Sequence, residues 1–133
     1  MTAPIIPPGF AAVTPYIFVT DAPAYIDFLI RAFDAVEVGR NVDPVGRIAN
    51  AQLRFNGSML MLSEASEAFP PARSAFYLYI DDADRAMGRA VDAGATGIMA
   101  VADMDYGDRQ GGVRDPAGNI WWLSQRLIDQ AYY

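Results

Sequence analysis

The chain has no cysteine, no histidine and no lysine; all ten of its cationic side chains are arginine. Disulfides, thiol nucleophiles, imidazole bases and Schiff-base lysines are therefore excluded together. Zinc, iron, nickel or copper would have to bind through carboxylate and amide oxygens, whereas these metals usually recruit imidazole or thiolate. Long apolar runs are also missing: nothing approaches the ~20 residues a membrane helix needs. The opening MTAPIIPPGF has neither a basic n-region nor a continuous apolar h-region, so a cytoplasmic protein with no membrane partner is expected. Cationic charge is scarce as well, giving a net charge of −6. That balance opposes phosphate backbones, so no nucleic-acid partner is expected; it favours neutral or cationic ligands, although solubility alone accounts for it.

With 133 residues and 53% hydrophobic content, the chain suits one well-packed domain. Inside it lies a repeat. A shift of about 61 residues aligns Tyr16 with Tyr77, Asp21 with Asp82, Gly46 with Gly107, Gly57 with Gly118 and Leu62-Ser63 with Leu123-Ser124, in a register that does not slip. Each copy starts with an apolar strand, TPYIFVT or AFYLYID, whose Asp is placed to cap a helix. Ile26, Leu29, Ile30 and Phe33 have helical spacing in the first copy, as have Met87, Ala90 and Val91 in the second.

Further strands are predicted around Val36 to Arg40, over IANAQLRF and over MLMLS, with turns at Asp43 to Gly46 and Asn56-Gly57. The second copy gives Gly97 to Val101, a loop ADMDYGDRQ, a short strand near Gly112 to Arg114, a turn at Asp115 to Gly118, and a strand holding Trp121 and Trp122. The predicted fold is α+β, two tandem β-α-β-β-β modules at about 12–66 and about 73–128. A proline-rich arm covers 1–11 and a tail 129–133, where dimer contact and disorder both remain open.

The stretches VTPYIFVTD (13–21), AYIDFLIRAFDA (24–35), GRIANAQL (46–53), LYIDDAD (78–84) and GDRQGGVRDPAGNIWW (107–122) resemble the vicinal oxygen chelate superfamily, in particular its bacterial glyoxalase-like and bleomycin resistance-like members. The resemblance runs from about residue 12 to about 128. It implies the glyoxalase/bleomycin resistance/dihydroxybiphenyl dioxygenase fold, a curved mixed sheet around a cup, commonly as a homodimer. It also carries the superfamily's metal-ligand positions onto Thr14, Met61, Ala75 and Trp122. None is a usual metal ligand, and the family's HAEL reads NAQL here, so no metal and no cofactor are expected.

Strand alternation then assigns faces. Because Trp122 stands at an inward position, it should face the cup while Trp121 packs beneath the sheet. Tyr16, Phe18, Tyr77, Tyr79, Met59, Met61 and Ile120 should join it on the cup side, with Ile48, Asn50, Gln52 and Arg54 from IANAQLRF; Ala49, Ala51, Leu53 and Phe55 should point the other way. Aromatic and thioether groups with sparse amides compose a small-molecule pocket, and equally the lining of a cup closed on itself. The candidate ligand-binding residues are Tyr16, Phe18, Asn50, Gln52, Met61, Tyr77, Tyr79, Arg109 and Trp122.

In GDRQGG the glycines allow close approach, and Asp108 with Arg109 could present a charge pair at the rim, either touching ligand or forming a salt bridge. Asp103, Asp105 and Asp108 do not match a calcium loop, since Asp108 falls where Gly is required and Arg114 where the closing Glu belongs; a solvated loop fits better. No spacing identifies a catalytic group, with Glu64 and Tyr77 the conceivable acid-base residues. Three functions stay open: metal-independent binding that sequesters an aromatic or cationic compound such as an antibiotic, a metal-free isomerase or lyase using a tuned carboxylate or tyrosine, and a dimeric accessory module with a closed cup.

Overall fold

The computed structural model describes residues 2–133, which fall into two compact units. The first comprises β1 (Tyr16–Val19), α1 (Ala22–Phe33, of which the last three residues group with the second unit), β2 (Val36–Val42), β3 (Ile48–Phe55) and β4 (Ser58–Glu64). Its sheet runs β1-β4-β3-β2, with β1 parallel to β4 and the other pairs antiparallel. Ile17, Val19, Ala51, Leu53, Leu60 and Leu62 are buried, while Tyr16 stays exposed, as alternation requires. One part of the expected pattern fails. Asn41 pairs with Asn50 and Val42 with Ile48, so Ala49 is an extra residue in β3. This bulge inverts the alternation, burying Ile48 and exposing Ala49, the opposite of the sequence expectation.

The second unit holds β5 (Ala75–Tyr79), α2 (Ala83–Asp92), β6 (Thr96–Asp103), β7 (Asp108–Arg114) and β8 (Ile120–Arg126), in the order β5-β8-β7-β6. Helix α2 packs on β6, β7 and β8. Gly97 and Gly111 lie beneath it, with Met87 against the space their missing Cβ atoms leave. Trp121 is buried on this helix-bearing side, its ring 4.5 Å from Phe76 and 4.7 Å from Phe33 between centroids. Strand β7 is longer than expected: its ladder to β8 begins at Asp108 opposite Arg126, so the loop is confined to 104–107.

The two sheets repeat the same pairing. Tyr16 opposite Met61 corresponds to Tyr77 opposite Trp122, an offset of 61 on both strands. In the middle strands the register does slip, contrary to the sequence expectation. Gln52 opposite Met61 becomes Gly112 opposite Trp122, an offset of 60 on one strand and 61 on the other. The hairpin explains part of it: Asn56-Gly57 closes β3–β4 in two residues, whereas 115–119 close β7–β8.

Helix capping repeats too. Asp21 and Asp82 accept from the Ala24 and Arg85 amides at 3.4 and 3.1 Å. Glu64 also accepts from the amides of Asp21 and Ala22 at 2.7 and 2.9 Å, and Gln125, 61 residues later, accepts from Ala83 at 3.0 Å. Glu64 thus caps a helix. No helix among the described residues is long and apolar enough to cross a membrane.

Candidate functional site

The second sheet's open face is built around a glycine. Since Gly111 turns toward α2, its neighbour Gly112 faces the other way, and there the ring of Trp122 lies across it. A Cβ on Gly112 would sit 2.5 Å from Cζ3 and 2.7 Å from Cε3 of the indole. Only glycine lets the ring lie this close to the backbone. Trp122 therefore stands on the face expected of it and Trp121 on the other, one indole serving the surface and its neighbour the core.

What fixes the buried partner is the 115–119 turn. One carboxylate oxygen of Asp115 accepts from the amides of Ala117 and Asn119 at 2.9 and 3.0 Å, while the other accepts from Trp121 Nε1 at 2.8 Å. Gly118, at φ 90°, supplies the left-handed residue that this turn requires.

Around Trp122 the same face carries Tyr77 and Tyr79 from β5, Ser124 and Arg126 from β8, and Asp108 and Gln110 from β7. Tyr77 and Tyr79 are exposed, with ring centroids 5.2 Å apart. Asp108, Gln110 and Ser124 are buried and fully partnered. Gln110 donates to Ser124 Oγ at 2.8 Å and accepts from the Tyr106 hydroxyl. Asp108 Oδ2 accepts from Tyr77 and from Tyr132, each at 2.5 Å, and Oδ1 accepts from Arg126 at 2.9 Å.

Burial alone would push the Asp108 carboxyl upward. The hydroxyls of Tyr132 and Tyr77 and the Arg126 guanidinium outweigh it and hold the group below the usual carboxylate range. Burial and the bond to Asp108 raise Tyr77, while bonds to Asp108 and Tyr79 raise Tyr132. The cluster is thus a fixed carboxylate ringed by neutral phenols and one cation.

Arg109 lies outside it. Its guanidinium is held by Asp84 at 2.8 and 3.1 Å and by Asp103 at 2.9 Å, two contacts that raise its pKa further. Asp84 belongs to α2, so Arg109 points to the helix-bearing side, where it forms a salt bridge; Asp108 takes Arg126 as its partner, not Arg109. Asp108 is also no solvated loop residue, because it opens a strand and is wholly buried.

The first unit presents a second aromatic face. Tyr16 and Phe18 are 5.3 Å apart between centroids, and Phe18 stacks on Phe69 at 5.3 Å and 14°. Met61 stands opposite both Tyr16 and Gln52, and the Gln52 amide donates to Asn50 at 3.4 Å. Sequence reasoning missed Phe69, which lies beyond the strands, and the Asp108 network; the signal for the latter was the Asp108-Gln110-Gly112 alternation, hidden by the glycine pair.

A family model of the glyoxalase/bleomycin resistance protein/dioxygenase superfamily matches residues 9–123. The chain belongs to that superfamily. An uncharacterized protein of Mycobacterium bovis is 38% identical over 125 residues, covering 86% of this chain and 82% of the relative. TioX from Micromonospora sp. ML1 superposes with a TM-score of 0.70 at 25% identity, covering 87% of this chain and all of its own. TnmS3, an antibiotic binding protein from Streptomyces sp. CB03234, shares the fold with a TM-score of 0.70 at 22% identity, over 94% of this chain and 99% of its own.

The superfamily's name includes dioxygenases, but the side chains at the positions that would hold a metal are poor donors. Thr14 offers a hydroxyl that donates to the Ala11 carbonyl, Met61 a thioether, Ala75 a methyl and Trp122 an N–H. Among the described residues no group of three or more Asp, Glu, His or Cys is placed to hold a metal ion. These side chains do not fit a resident metal.

Proposed function

We propose that this protein binds a small planar aromatic molecule without a metal, and that Trp122 is the ring on which it stacks. The observation that carries this reading is the indole set with its Cζ3–Cε3 edge against the bare backbone of Gly112, on the same face as the exposed Tyr77 and Tyr79. Tyr16, Phe18, Met61, Asn50 and Gln52 supply a comparable aromatic and amide surface on the first unit. A neutral or cationic compound suits the net charge of −6 and the electron-rich ring faces. The fold is shared with an antibiotic binding protein, so sequestration of an antibiotic-like molecule is the specific form proposed.

The directions of the pKa shifts favour binding over catalysis. A general base works best with its pKa near the operating pH. Asp108 is instead made a weaker base and Tyr77 a weaker acid. A homodimer belongs to the same proposal, because edge strand β2 leaves Val36, Val38 and Val42 exposed; light scattering reads it directly.

The test is titration with planar aromatic compounds, neutral and cationic, in the presence of chelator, followed by tryptophan emission. Saturable quenching is expected in the native chain and in Trp121→Phe, and its loss in Trp122→Phe. Quenching by no compound, or undiminished quenching in Trp122→Phe, overturns the reading.

A further inference from the structure

The C-terminal residues 127–133 form no helix or strand and are all exposed, yet Leu127, Ile128, Gln130 and Tyr132 each contact the second unit. The Leu127 amide donates to the Gly107 carbonyl at 2.9 Å. Ile128 fills the space beside Gly107, where an added Cβ would lie 2.7 Å from its Cδ1. Arg126 donates to the Gln130 carbonyl at 2.6 Å. These contacts deliver one side chain, Tyr132, to the buried Asp108.

The surroundings of that phenol resemble a ligand site. Its hydroxyl donates to Asp108 Oδ2 at 2.5 Å and is hydrogen-bonded to the Tyr79 hydroxyl. The Arg126 guanidinium lies 4.3 Å from its ring centroid, and Tyr106 stands 6.4 Å away. Asp108 has two further donors of its own, Tyr77 and Arg126, so it stays partnered when Tyr132 leaves. The Tyr132 ring remains exposed, and it is anchored by its hydroxyl and one cation contact, not by burial in a core.

We infer that Asp108, Tyr79 and Arg126 form a subsite for a phenolic hydroxyl, filled in the free protein by the chain's own Tyr132 and vacated when a hydroxylated aromatic ligand binds. The inference rests on the proposed aromatic binding and narrows it to molecules bearing a neutral phenol. The chemistry is selective in two ways. A carboxylate demands a donor, so a methyl ether gains nothing there, and a phenolate would meet a like charge.

A self-occupied subsite lowers apparent affinity by the fraction of chains whose site is free. Calorimetric titration of the full chain with 2-naphthol and with 2-methoxynaphthalene therefore tests the inference, using native protein, Tyr132→Ala and Asp108→Asn. For a tail docked in nine chains of ten or more, Tyr132→Ala should bind 2-naphthol about tenfold or more tightly than native protein, with little gain for the ether. Asp108→Asn should erase the preference for the phenol, and if that variant does not fold, the Tyr132→Ala comparison decides alone. Equal affinity of native and Tyr132→Ala protein, or an equal gain for the ether, overturns the inference. In that event, aromatic compounds that still quench Trp122 leave the proposed function standing, whereas no binding by any chain overturns both.

Discussion

The indole of Trp122 lies across Gly112 with Cζ3 2.5 Å from the place a Cβ would take, which ties the ring's orientation to the lack of a side chain on the neighbouring strand. Gly112 is not needed for its backbone angles, since its φ lies outside the left-handed range, so the constraint is steric. Gly112→Ala should lift the ring and cost about 1–3 kcal/mol, the usual range for overpacking. Urea unfolding should show the lower midpoint, and the Trp122 emission should shift.

Asp108 has no exposed surface and accepts from three donors. Asp108→Asn keeps the volume but removes the charge, and its NH₂ brings a donor where Tyr77, Tyr132 and Arg126 also donate. A loss of about 2 kcal/mol is expected, the scale of a hydrogen bond to a charged group. Chemical denaturation measures it, and the loss should appear without any change at the first unit's aromatic face.

The same cluster predicts a pH profile. The Asp108 pKa is depressed on folding, so its contribution is present above the ordinary carboxylate value of about 4 and is lost as pH falls through the lower folded value. The Tyr77 and Tyr132 pKa values are raised, so theirs is complete below the ordinary phenol value of about 10 and is lost as pH rises through the higher folded values. The stability difference between native and Asp108→Asn protein should be flat from about pH 5 to 9 and shrink under more acidic conditions. A difference that instead changes through neutrality would mean that another group controls the cluster.

Glu64 and Gln125 stand at equivalent places in the repeat and accept from the first amides of α1 and α2. Removing either acceptor orphans N–H groups at a helix start, and Ala22 and Ala83 are both fully buried. Glu64→Ala and Gln125→Ala should each cost about 1 kcal/mol. Glu64→Gln should recover part of the loss, because a neutral amide oxygen already serves at the second site.

Much of this was legible in the sequence because it is local or periodic. The tandem modules, the Asp21 and Asp82 caps, the turn at Asp115 and the opposite fates of Trp121 and Trp122 follow from spacing and strand alternation. What escaped depends on tertiary packing. The strand was expected to start only near Gly112, because glycine weakens a strand, yet Gly111 and Gly112 both lie inside β7 and each is required where another side chain, Met87 or Trp122, crowds the backbone. Ala49 carries no mark of a bulge, so the faces of Ile48 and Ala49 came out reversed. Tyr132 meets Asp108 across 24 residues of chain, a pairing that no periodicity encodes.

The adjacent indoles allow a final test of the face assignment. Trp121 is 3% exposed, donates to Asp115 and lies between Phe33 and Phe76, whereas Trp122 is half-buried over a glycine. Trp121→Phe leaves Asp115 Oδ2 without that donor and opens space in the packed side, so a loss of about 2–3 kcal/mol is expected. Trp122→Phe removes contact surface from an open face and should cost less than about 1 kcal/mol. The remaining emission separates the two independently of stability: Trp122→Phe should emit at shorter wavelength and resist acrylamide, while Trp121→Phe should emit at longer wavelength and be quenched readily. The reverse pattern would show that the wrong indole had been assigned to the surface, and the proposed stacking platform would go with it.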